Sequence, residues 1–252
     1  MNRYRADLHV HTVLSPCGDL EMSPSNIVKR AALKGIDILG VTDHNSTKHG
    51  ALIRKLAEKE GIFVLCGAEV TTREEIHCLA FFENDDTLEK FQQFLNMYLA
   101  DVWNNPSRFG YQVVVDENDM IVEEIDRLLI AAIDRSIDEV EEEVHALGGL
   151  FIPAHIDRPG YSLFSQLGFM PPDLKVDALE VTGRTTPEDI IAQFPDLAAY
   201  SFIGSSDAHY PEQLGSRMTV FEMETRSFAE IKKALHGEDG RRVSIMTDRH
   251  RV

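Results

Sequence analysis

The segment Asp7-Leu8-His9-Val10-His11 ends a predicted strand over Arg3–Leu8, and the interpretation of the whole chain starts from it. Because side chains alternate along an extended strand, His9 and His11 point to the same side and can bind one metal ion. A buried pair of hydrogen-bonded histidines is the alternative for this motif by itself. The choice between the two depends on what accompanies the pair elsewhere in the chain.

Five further motifs that contain histidine or acidic residues lie at the ends of other predicted strands. They are Thr42-Asp43-His44, Gly67-Ala68-Glu69, Ile76-His77, Ala154-His155 and Ser206-Asp207-Ala208-His209. Imidazole and carboxylate are the ligands that borderline divalent metals prefer in proteins. Six such motifs, each beside an apolar run, predict one metal centre and disfavour separate buried histidines.

Short apolar runs alternate with helical patterns, which is typical of parallel βα units. The predicted strands are Arg3–Leu8, Ile36–Thr42, Phe63–Cys66, Ile76–Phe82, Leu150–Ala154, Ala178–Val181 and Phe202–Ser205. Helices are predicted between the cap Ser23 and Gly35, over Lys48–Lys59 and over Phe228–Leu235. In a parallel barrel the carboxyl ends of the strands meet on one face, so the dispersed motifs would line one pocket.

The alternation breaks between Glu83 and Gly148, where 17 acidic and 4 basic residues give a net charge of −13 out of −17 for the chain. The predicted elements of this segment are helices over Leu88–Val102 and Val122–Leu147, a loop over Trp103–Gly110 and an extended piece over Tyr111–Val115. We interpret residues 83–148 as an acidic, mostly helical insert, and residues 1–82 and 149–252 as the barrel. The acidic faces are either solvated or bind a partner.

Charge and composition exclude several functional classes. An acidic surface without a basic track or a series of aromatic residues disfavours binding to long nucleic acid, although a short oligonucleotide could fit. No apolar run approaches the roughly 20 residues that a membrane helix needs, and the start of the chain shows no signal peptide. Three irregularly spaced cysteines, Cys17, Cys66 and Cys78, fit a reducing compartment. We therefore expect a cytoplasmic protein without a membrane partner.

These motifs together resemble the PHP (polymerase and histidinol phosphatase) family, and in particular its stand-alone metal-dependent phosphoesterases. The matching segments, in the order of the family, are DLHVHT at 7–12, TDHN at 42–45, GAEV at 67–70, His77, PAH at 153–155 and GSSDAH at 204–209. The resemblance implies a distorted (β/α)7 TIM-like barrel with a mainly helical insertion. It also implies two or three divalent ions, commonly zinc, manganese or iron, and hydrolysis of phosphate esters by a hydroxide that bridges two of them.

The resemblance further implies how the ligands are divided among three metals. The implied sets are His9, His11, Glu69 and Asp207 for the first metal, Glu69, His77 and His155 for the second, and His44 and His209 for the third. The third site departs from the family pattern, because Cys17 falls where some members place a histidine. Either Cys17 or Asp19 completes this site, and a thiolate there would favour zinc over manganese.

Asp43, Arg158 and Arg184 are the candidate catalytic residues outside the ligand set. Asp43 either binds the outer nitrogen of a metal-binding imidazole and so orients the ring, or approaches a metal itself. Asp7 is the stronger candidate for the role of orienting an imidazole. Arg158 and Arg184 would grip phosphate oxygens, with Arg217 as a third candidate. A surface ion pair is the alternative for each arginine.

The sequence therefore predicts a multinuclear metal-dependent phosphoesterase that acts on small phosphorylated substrates such as nucleotides. The alternatives are a 3′–5′ exonuclease on short oligonucleotides and a non-catalytic metal-binding regulatory module. Of the other histidines, His49 is near enough to His44 to approach the site, and His145, His236 and His250 are expected at the surface. The sequence indicates neither the general acid nor the oligomeric state.

Overall fold

A computed structural model describes residues 1–246 of the chain, so His250 lies outside the described residues. The strands are β1 (Asn2–Val10), β2 (Ile38–Val41), β3 (Phe63–Thr71), β4 (His77–Phe82), β5 (Val113–Val115), β6 (Ile121–Glu124), β7 (Leu150–Pro153), β8 (Leu179–Glu180), β9 (Phe202–Ile203), β10 (Thr219–Met223) and β11 (Arg242–Ile245). The helices are α1 (Pro24–Lys34), α2 (Gly50–Ala57), α3 (Asp85–Tyr98), α4 (Pro106–Phe109), α5 (Ile137–Ala146), α6 (Leu163–Leu167), α7 (Pro187–Gln193) and α8 (Phe228–His236). All seven predicted strands and the three predicted helices of the barrel are present, with shifted bounds.

The main sheet has seven strands in the order β11-β10-β1-β2-β3-β4-β7. The expected parallel pairing holds for β1, β2 and β3, but β4 runs antiparallel to both β3 and β7. Only residues 72–76 connect β3 to β4, which is too short for the crossover that a parallel pair needs. The reversal brings His77, at the amino end of β4, to the same edge as the carboxyl end of β3.

Single hydrogen bonds close the curled sheet into a distorted barrel. The short parallel pair β8-β9 contacts β7 through the Ile156 N–H to the Glu180 carbonyl and the Asp177 N–H to the Phe151 carbonyl. After β9 the chain returns to β1, where Ala208 forms a parallel bridge with Val10. The predicted fold class, an α/β TIM-like barrel, is confirmed. Strands β10 and β11, which extend the sheet beyond β1, were not predicted.

Two hydrophobic cores lie on opposite faces of the strands. One packs helices α1, α2, α3 and α5 against residues such as Val41 and Val70. The other is built from the opposite strand faces, with Leu8, Leu65 and Phe81, and α8 packs against it. Leu8 and Leu65 of this second core lie in β1 and β3, shortly before the predicted ligands His9 and Glu69.

The acidic segment is less helical than its sequence suggests. The helix predicted over Val122–Leu147 forms only at α5, whose N-cap Ser136 makes a capping box, and β5 and β6 form a hairpin before it. The β-branched residues of these two strands favour an extended backbone, and the turn between them is held by N–H bonds to Asp116 and a left-handed Asp119. Helices α3 and α5 pack on the barrel core, and the boundaries of the insert stay a prediction.

No helix within residues 1–246 combines the length and the apolar character that crossing a membrane requires.

Candidate metal centre

The carboxylate of Glu69, near the carboxyl end of β3, is surrounded by five imidazole rings. Its Oε1 lies 3.2 Å from His9 Nε2, 2.9 Å from His77 Nδ1 and 3.1 Å from His155 Nε2. Its Oε2 lies 3.2 Å from His11 Nε2 and 3.1 Å from His44 Nδ1. All six side chains are buried. Residues separated by up to 146 positions thus meet at one point of the barrel mouth.

Asp207 and His209 complete this group from the loop after β9. Asp207 Oδ1 lies 3.4 Å from the Nε2 atoms of both His9 and His11. The His209 ring stacks on His11 with 4.0 Å between the ring centroids. Asp207 and His155 both have positive φ angles, of 51° and 32°, which non-glycine residues rarely adopt. Such backbone strain is typical of positions whose side chains serve a function.

Hydrogen bonds fix the orientation of three of the rings. His9 Nδ1 bonds to Glu180 Oε2 at 2.9 Å, and His11 Nδ1 bonds to Ser15 Oγ at 3.0 Å. His209 Nδ1 donates to the backbone carbonyl of Asp207 at 2.9 Å. Each ring therefore turns its Nε2 toward the centre, as a metal-bound histidine requires.

The unpaired atoms of this group fit the binding of divalent cations. Within residues 1–246, the buried atoms of this group without a hydrogen-bond partner are His44 Nδ1, Glu69 Oε2, His77 Nδ1, His77 Nε2 and His155 Nδ1. Each such atom costs about 1–3 kcal/mol in the folded state, and a cation would remove that cost. The sets whose ligand atoms lie within 4.8 Å of one another are His9-His11-Glu69, His11-His44-His209 and His44-Glu69-His77. The expected division of ligands among metals stays a prediction, since His44 belongs to two of these sets.

Burial and neighbouring charges act in opposite directions on the ionisable groups of the centre. Burial disfavours the ionised form of Glu69, but the imidazoles of His77 and His9 outweigh it and hold the pKa of Glu69 well below its ordinary value. Burial also disfavours a charged His11, yet hydrogen bonds to Asp207 and Glu69 raise its pKa to about 9. Protons on the imidazoles thus offset the carboxylates, and a bound cation would displace them.

Asp43, a predicted catalytic residue, makes its hydrogen bonds beside the centre. Its Oδ1 accepts bonds from the Thr12 N–H and the Ser15 hydroxyl, both at 2.7 Å, and its Oδ2 accepts from the Thr12 hydroxyl at 2.8 Å. Ser15 in turn holds His11 Nδ1, so these bonds connect Asp43 to a ring of the centre. Its role as a catalytic residue stays a prediction.

His49 extends this network away from the centre. Its Nε2 accepts the backbone N–H of Val115 in β5 at 3.0 Å, so its Nδ1 carries the proton and donates to Thr12 Oγ1 at 2.7 Å. Burial lowers the pKa of His49, which agrees with a neutral ring in this position. A chain of hydrogen bonds therefore connects the acidic segment to His11, and His49 does not approach the centre.

Asp7 also has a different role from the one expected. The register between β1 and β2 shifts between Asp7 and Val10, and this irregularity separates Asp7 from the face that carries His9. Asp7 accepts bonds from the N–H and hydroxyl of Ser206 and from the Gly215 N–H. It therefore anchors the loop that carries Asp207 and does not orient an imidazole.

Two residues of the site were missed in the sequence. Glu180, buried at the end of β8, holds His9 Nδ1 and accepts the His155 N–H at 3.0 Å. The sequence feature that could have revealed Glu180 is its position as the one acidic residue within the apolar run Ala178–Val181. Tyr161 has a φ of +56°, accepts the His77 N–H through its carbonyl, and stacks on the His77 ring at 4.9 Å. No sequence pattern marks Tyr161.

A cavity of about 1080 Å³ opens beside His155 and Asp207. Arg158, Arg184 and Arg217 all line it, as the phosphate-binding prediction requires. Arg158 Nη1 donates to Asp207 Oδ2 at 2.7 Å, and 41% of its side chain is exposed. Arg217 Nε is buried without a hydrogen-bond partner within residues 1–246. The cavity thus places three positively charged arginine side chains next to two of the predicted metal ligands, His155 and Asp207.

Cys17 and Asp19 were the two candidates to complete the third metal site. Neither belongs to the three ligand sets found in residues 1–246. The Asp19 carboxylate accepts the Glu21 N–H at 2.8 Å and caps its own loop. Burial raises the pKa of the Cys17 thiol to about 12. Cys17 lies with Arg108 and Tyr210 in a smaller cavity, and its role as a ligand stays a prediction.

The fold is thus a TIM-like α/β barrel, with imidazoles and carboxylates gathered at its mouth beside an arginine-lined cavity. Comparison with known sequences then identifies the family. The PHP domain model matches residues 7–159, and a PHP-associated region matches residues 189–238. The chain belongs to the PHP domain family, as its motifs suggested.

One curated relative and two solved structures of similar fold show how far the similarity extends. The uncharacterized protein YqxK of Bacillus subtilis is 25% identical over 96% of this chain and 64% of its own length. A lesion-specific endonuclease from Pyrococcus furiosus has a similar fold, with a TM-score of 0.74, 22% identity, and coverage of 96% of this chain and 58% of that chain. A candidate metal-dependent phosphoesterase from Bifidobacterium adolescentis gives a TM-score of 0.57 and 21% identity over 82% of this chain and 88% of that chain. The chain thus spans less than two thirds of YqxK and of the endonuclease.

Proposed function

We propose that this PHP protein is a multinuclear metal-dependent phosphoesterase that hydrolyses small phosphorylated substrates such as nucleotides. The observation that supports it best is Glu69, whose two oxygens face different sets of imidazoles, next to a cavity with three arginines. Glu69 would hold metal ions together with these imidazoles, and the arginines beside it would hold the anionic substrate.

Two or three divalent ions would be held by the predicted ligands. His9, His11, Glu69 and Asp207 form one set, His77 and His155 join Glu69 in a second, and His44 and His209 contribute to a third. Zinc, manganese and iron all accept this mixture of nitrogen and oxygen ligands. When bound, these ions would activate water as a nucleophile at neutral pH and neutralise the phosphoryl oxygens.

The side chains around the ligands have separate tasks. Arg158 holds Asp207 through one N–H and keeps its other donors for a phosphoryl oxygen in the cavity. Arg184, which is exposed at the cavity edge, offsets the charge that develops on the leaving group. Glu180 keeps the proton of His9 on Nδ1, so that Nε2 remains a ligand atom.

The size and charge of the site favour small substrates. A cavity of about 1080 Å³ accommodates a nucleotide-sized molecule, since ligand cavities are commonly about 300–1,000 Å³. The net charge of −17 works against a long polyanion, because each phosphate must approach an acidic surface. Local arginines inside the cavity attract a single phosphate without making the whole surface basic.

A substrate panel tests this proposal. Metal-stripped protein is reloaded with zinc, manganese or iron and assayed on mononucleotides, sugar phosphates and oligonucleotides of increasing length. We expect turnover of at least one class of small phosphate ester, with the rate falling as the oligonucleotide lengthens. Turnover of oligonucleotides alone would reject the small-substrate assignment, and no turnover with any metal would reject the phosphoesterase assignment.

A nuclease that acts on short oligonucleotides is the second candidate. The similarity in fold to a lesion-specific endonuclease favours it, because the same centre can act on a phosphodiester. This chain spans 58% of the length of that protein. Cleavage of oligonucleotides that contain a lesion, with no release of phosphate from mononucleotides, would favour this candidate. A non-catalytic role would require missing ligands, and the eight histidines and acids of the three predicted sets are all gathered at the mouth.

A further inference from the structure

The smaller cavity that contains Cys17 is lined by three aromatic rings and one arginine, and its volume is about 530 Å³. The rings are those of Phe109, Tyr111 and Tyr210, and the arginine is Arg108; we call this space the aromatic cavity. Among the residues that the structure describes, it shares no lining residue with the arginine-lined cavity. Two separate cavities of different chemistry therefore lie beside the candidate metal centre.

The loop after β9 connects the aromatic cavity to the centre. Tyr210 directly follows His209, and the His209 ring stacks on His11 with 4.0 Å between the ring centroids. The Asp19 N–H donates to the His209 carbonyl at 2.8 Å, and Asp19 also lines the cavity. Asp207 of the arginine-lined cavity precedes Tyr210 by three residues, so their Cα atoms are at most about 11 Å apart. One small molecule at the centre can therefore contact both cavities.

The wall that carries Arg108 and Phe109 is fixed by its backbone. Gly110, which follows them, has a φ of +95°, and a Cβ there would lie 2.2 Å from the Pro16 carbonyl oxygen. Only a glycine allows this close approach. The side-chain amide of Asn104 also donates to the Gly110 carbonyl at 2.9 Å. The acidic segment is thus held directly against the loop after β1, which forms the other wall.

Two of the three rings present large exposed faces. Tyr111 is 55% exposed and Tyr210 is 50% exposed. Tyrosine combines an apolar ring with a polar hydroxyl, which suits a surface that binds a ligand. Exposed aromatic faces that line one cavity offer stacking contacts to a flat aromatic ring.

Arg108 adds a free positive charge to a segment whose net charge is −13. Its guanidinium lies 5.0 Å from the centroid of the Phe109 ring. Lys90 and Arg135 of the same segment each pair with a nearby carboxylate, whereas Arg108 forms no ion pair within residues 1–246. The guanidinium can therefore stack on a ligand ring or donate to its edge.

A flat ring with hydrogen-bonding groups at its edge fits these walls best. Arg108 can donate to ring nitrogens and carbonyl oxygens, and the carboxylate of Asp19 can accept from an amino group. The tyrosine rings stack on the face of any base, because every base has a π-face. A nucleobase has both the flat face and the polar edge, whereas a sugar has no flat face to stack.

We propose that the aromatic cavity binds the base of a nucleotide whose phosphate lies at the metal centre. Tyr111 and Tyr210 would stack on the base, and Arg108 would donate to its edge. This inference rests on the proposed phosphoesterase function and narrows the substrates to nucleotides. The acidic segment thereby supplies specificity through Arg108 and Tyr111, and the centre with its arginines supplies the contacts to phosphate.

A comparison of the four nucleoside 5′-monophosphates with ribose 5-phosphate tests the proposal, because ribose 5-phosphate lacks the base. The metal-loaded wild type is compared with Tyr111→Ala, and Trp103→Ala is the matched control, since Trp103 is an exposed aromatic residue of the same segment outside the aromatic cavity. We expect Tyr111→Ala to raise KM for the best nucleotide by roughly 10-fold, because a stacking contact is lost. Both constants for ribose 5-phosphate should stay at the wild-type values. Tyr111→Phe keeps the ring and should keep the wild-type KM for the nucleotide.

A wild-type KM for the nucleotide in Tyr111→Ala would overturn the proposal. An equal rise in KM for the nucleotide and for ribose 5-phosphate would also overturn it, because Tyr111 would then only support the loop. If the wild type hydrolyses none of these compounds, the phosphoesterase assignment fails, and calorimetric titration with the nucleotides decides the base site. Roughly 10-fold weaker binding in Tyr111→Ala alone would support the site. Equal affinity in all the proteins, or no binding to the wild type, would reject it.

Discussion

The mouth and the base of the barrel both bring histidines onto a buried carboxylate, but they differ in how well the polar atoms are satisfied. At the mouth, five imidazoles surround Glu69, and several ring nitrogens have no hydrogen-bond partner in the described part of the chain. At the base, His145 at the end of α5 and His236 at the end of α8 flank Asp177, and every ring nitrogen of the two histidines faces a carboxylate oxygen. Protons on the imidazoles are enough to form all the hydrogen bonds at the base. At the mouth, the unpaired nitrogen and oxygen atoms would be satisfied by bound cations.

This difference has a consequence for metal affinity. A metal at the base would have to displace protons that already form hydrogen bonds, while a metal at the mouth would relieve unpaired atoms that cost about 1–3 kcal/mol each. We therefore expect added metal to bind at the mouth and not at the base. The variants below alter one region at a time.

Glu69→Gln should have the largest effect. The amide keeps the size of the side chain but loses the charge that both ligand sets share, so the mouth should lose at least one metal. We expect activity to fall by roughly 10³-fold or more, which corresponds to about 4 kcal/mol of transition-state stabilisation. Metal content and phosphate release are measured together. A Glu69→Gln protein with full metal content and activity would remove the basis for the comparison.

Arg158→Ala should reduce activity by roughly 10²-fold, because it removes a donor to the substrate and the partner of Asp207. Metal content should stay at the wild-type level, since the ligands remain. Arg158→Lys keeps the charge but not the paired donors, and we expect it to recover only part of the activity. Wild-type kcat/KM in Arg158→Ala would show that Arg158 forms only a surface ion pair.

Glu180→Gln should weaken metal binding at the mouth by about 10- to 100-fold, because the acceptor that holds His9 Nδ1 becomes weaker. Competition with a chelator measures this change. Glu188→Gln is the control, since Glu188 lines the same cavity from an exposed position. Equal weakening in both variants would indicate a general effect of charge in the cavity and not the orientation of His9.

His49→Phe should have the smallest effect on chemistry and a clear effect on stability. It leaves the Val115 N–H without its acceptor and removes a donor to Thr12, at a cost of about 1–3 kcal/mol. Thermal unfolding should show a lower Tm, with metal content retained. An unchanged Tm would mean that the hydrogen bonds of His49 to Val115 and to Thr12 contribute nothing to the free energy of unfolding.

The sequence predicted the residues of the mouth because ligand chemistry restricts residue type. Glu69, His77 and Asp207 lie in short motifs next to apolar runs, and a barrel brings the ends of its strands together. That argument uses strand positions, which the apolar runs indicate well, and it assumes parallel strands. His77, at the amino end of β4, reaches the mouth because β4 runs antiparallel to β3, which the argument did not foresee.

The roles of the supporting residues could not be read in the same way. Asp7 and Asp43 stand directly beside motif histidines, and sequence proximity suggested that they orient imidazoles. An irregularity in the pairing of β1 with β2 and the loop at Thr12 direct both carboxylates to backbone N–H groups and hydroxyls. Glu180, which does orient His9, lies 171 positions away. Local sequence carries no information on such contacts.

The β5-β6 hairpin was missed for a related reason. Acidic residues at Glu123 and Glu124 fit the polar face of a helix as well as an exposed strand. The outcome depends on pairing with Val113 and Val114, and on a turn at Asp116, which a window of neighbouring residues does not reveal.

Anomalous diffraction from crystals of the metal-loaded protein tests the central claim most directly. We predict at least two peaks at the barrel mouth, about 3.5–4 Å apart, with the Glu69 carboxylate between them. A map with no peak beside Glu69, or with a single peak that one Glu69 oxygen contacts, would contradict a bridged metal centre.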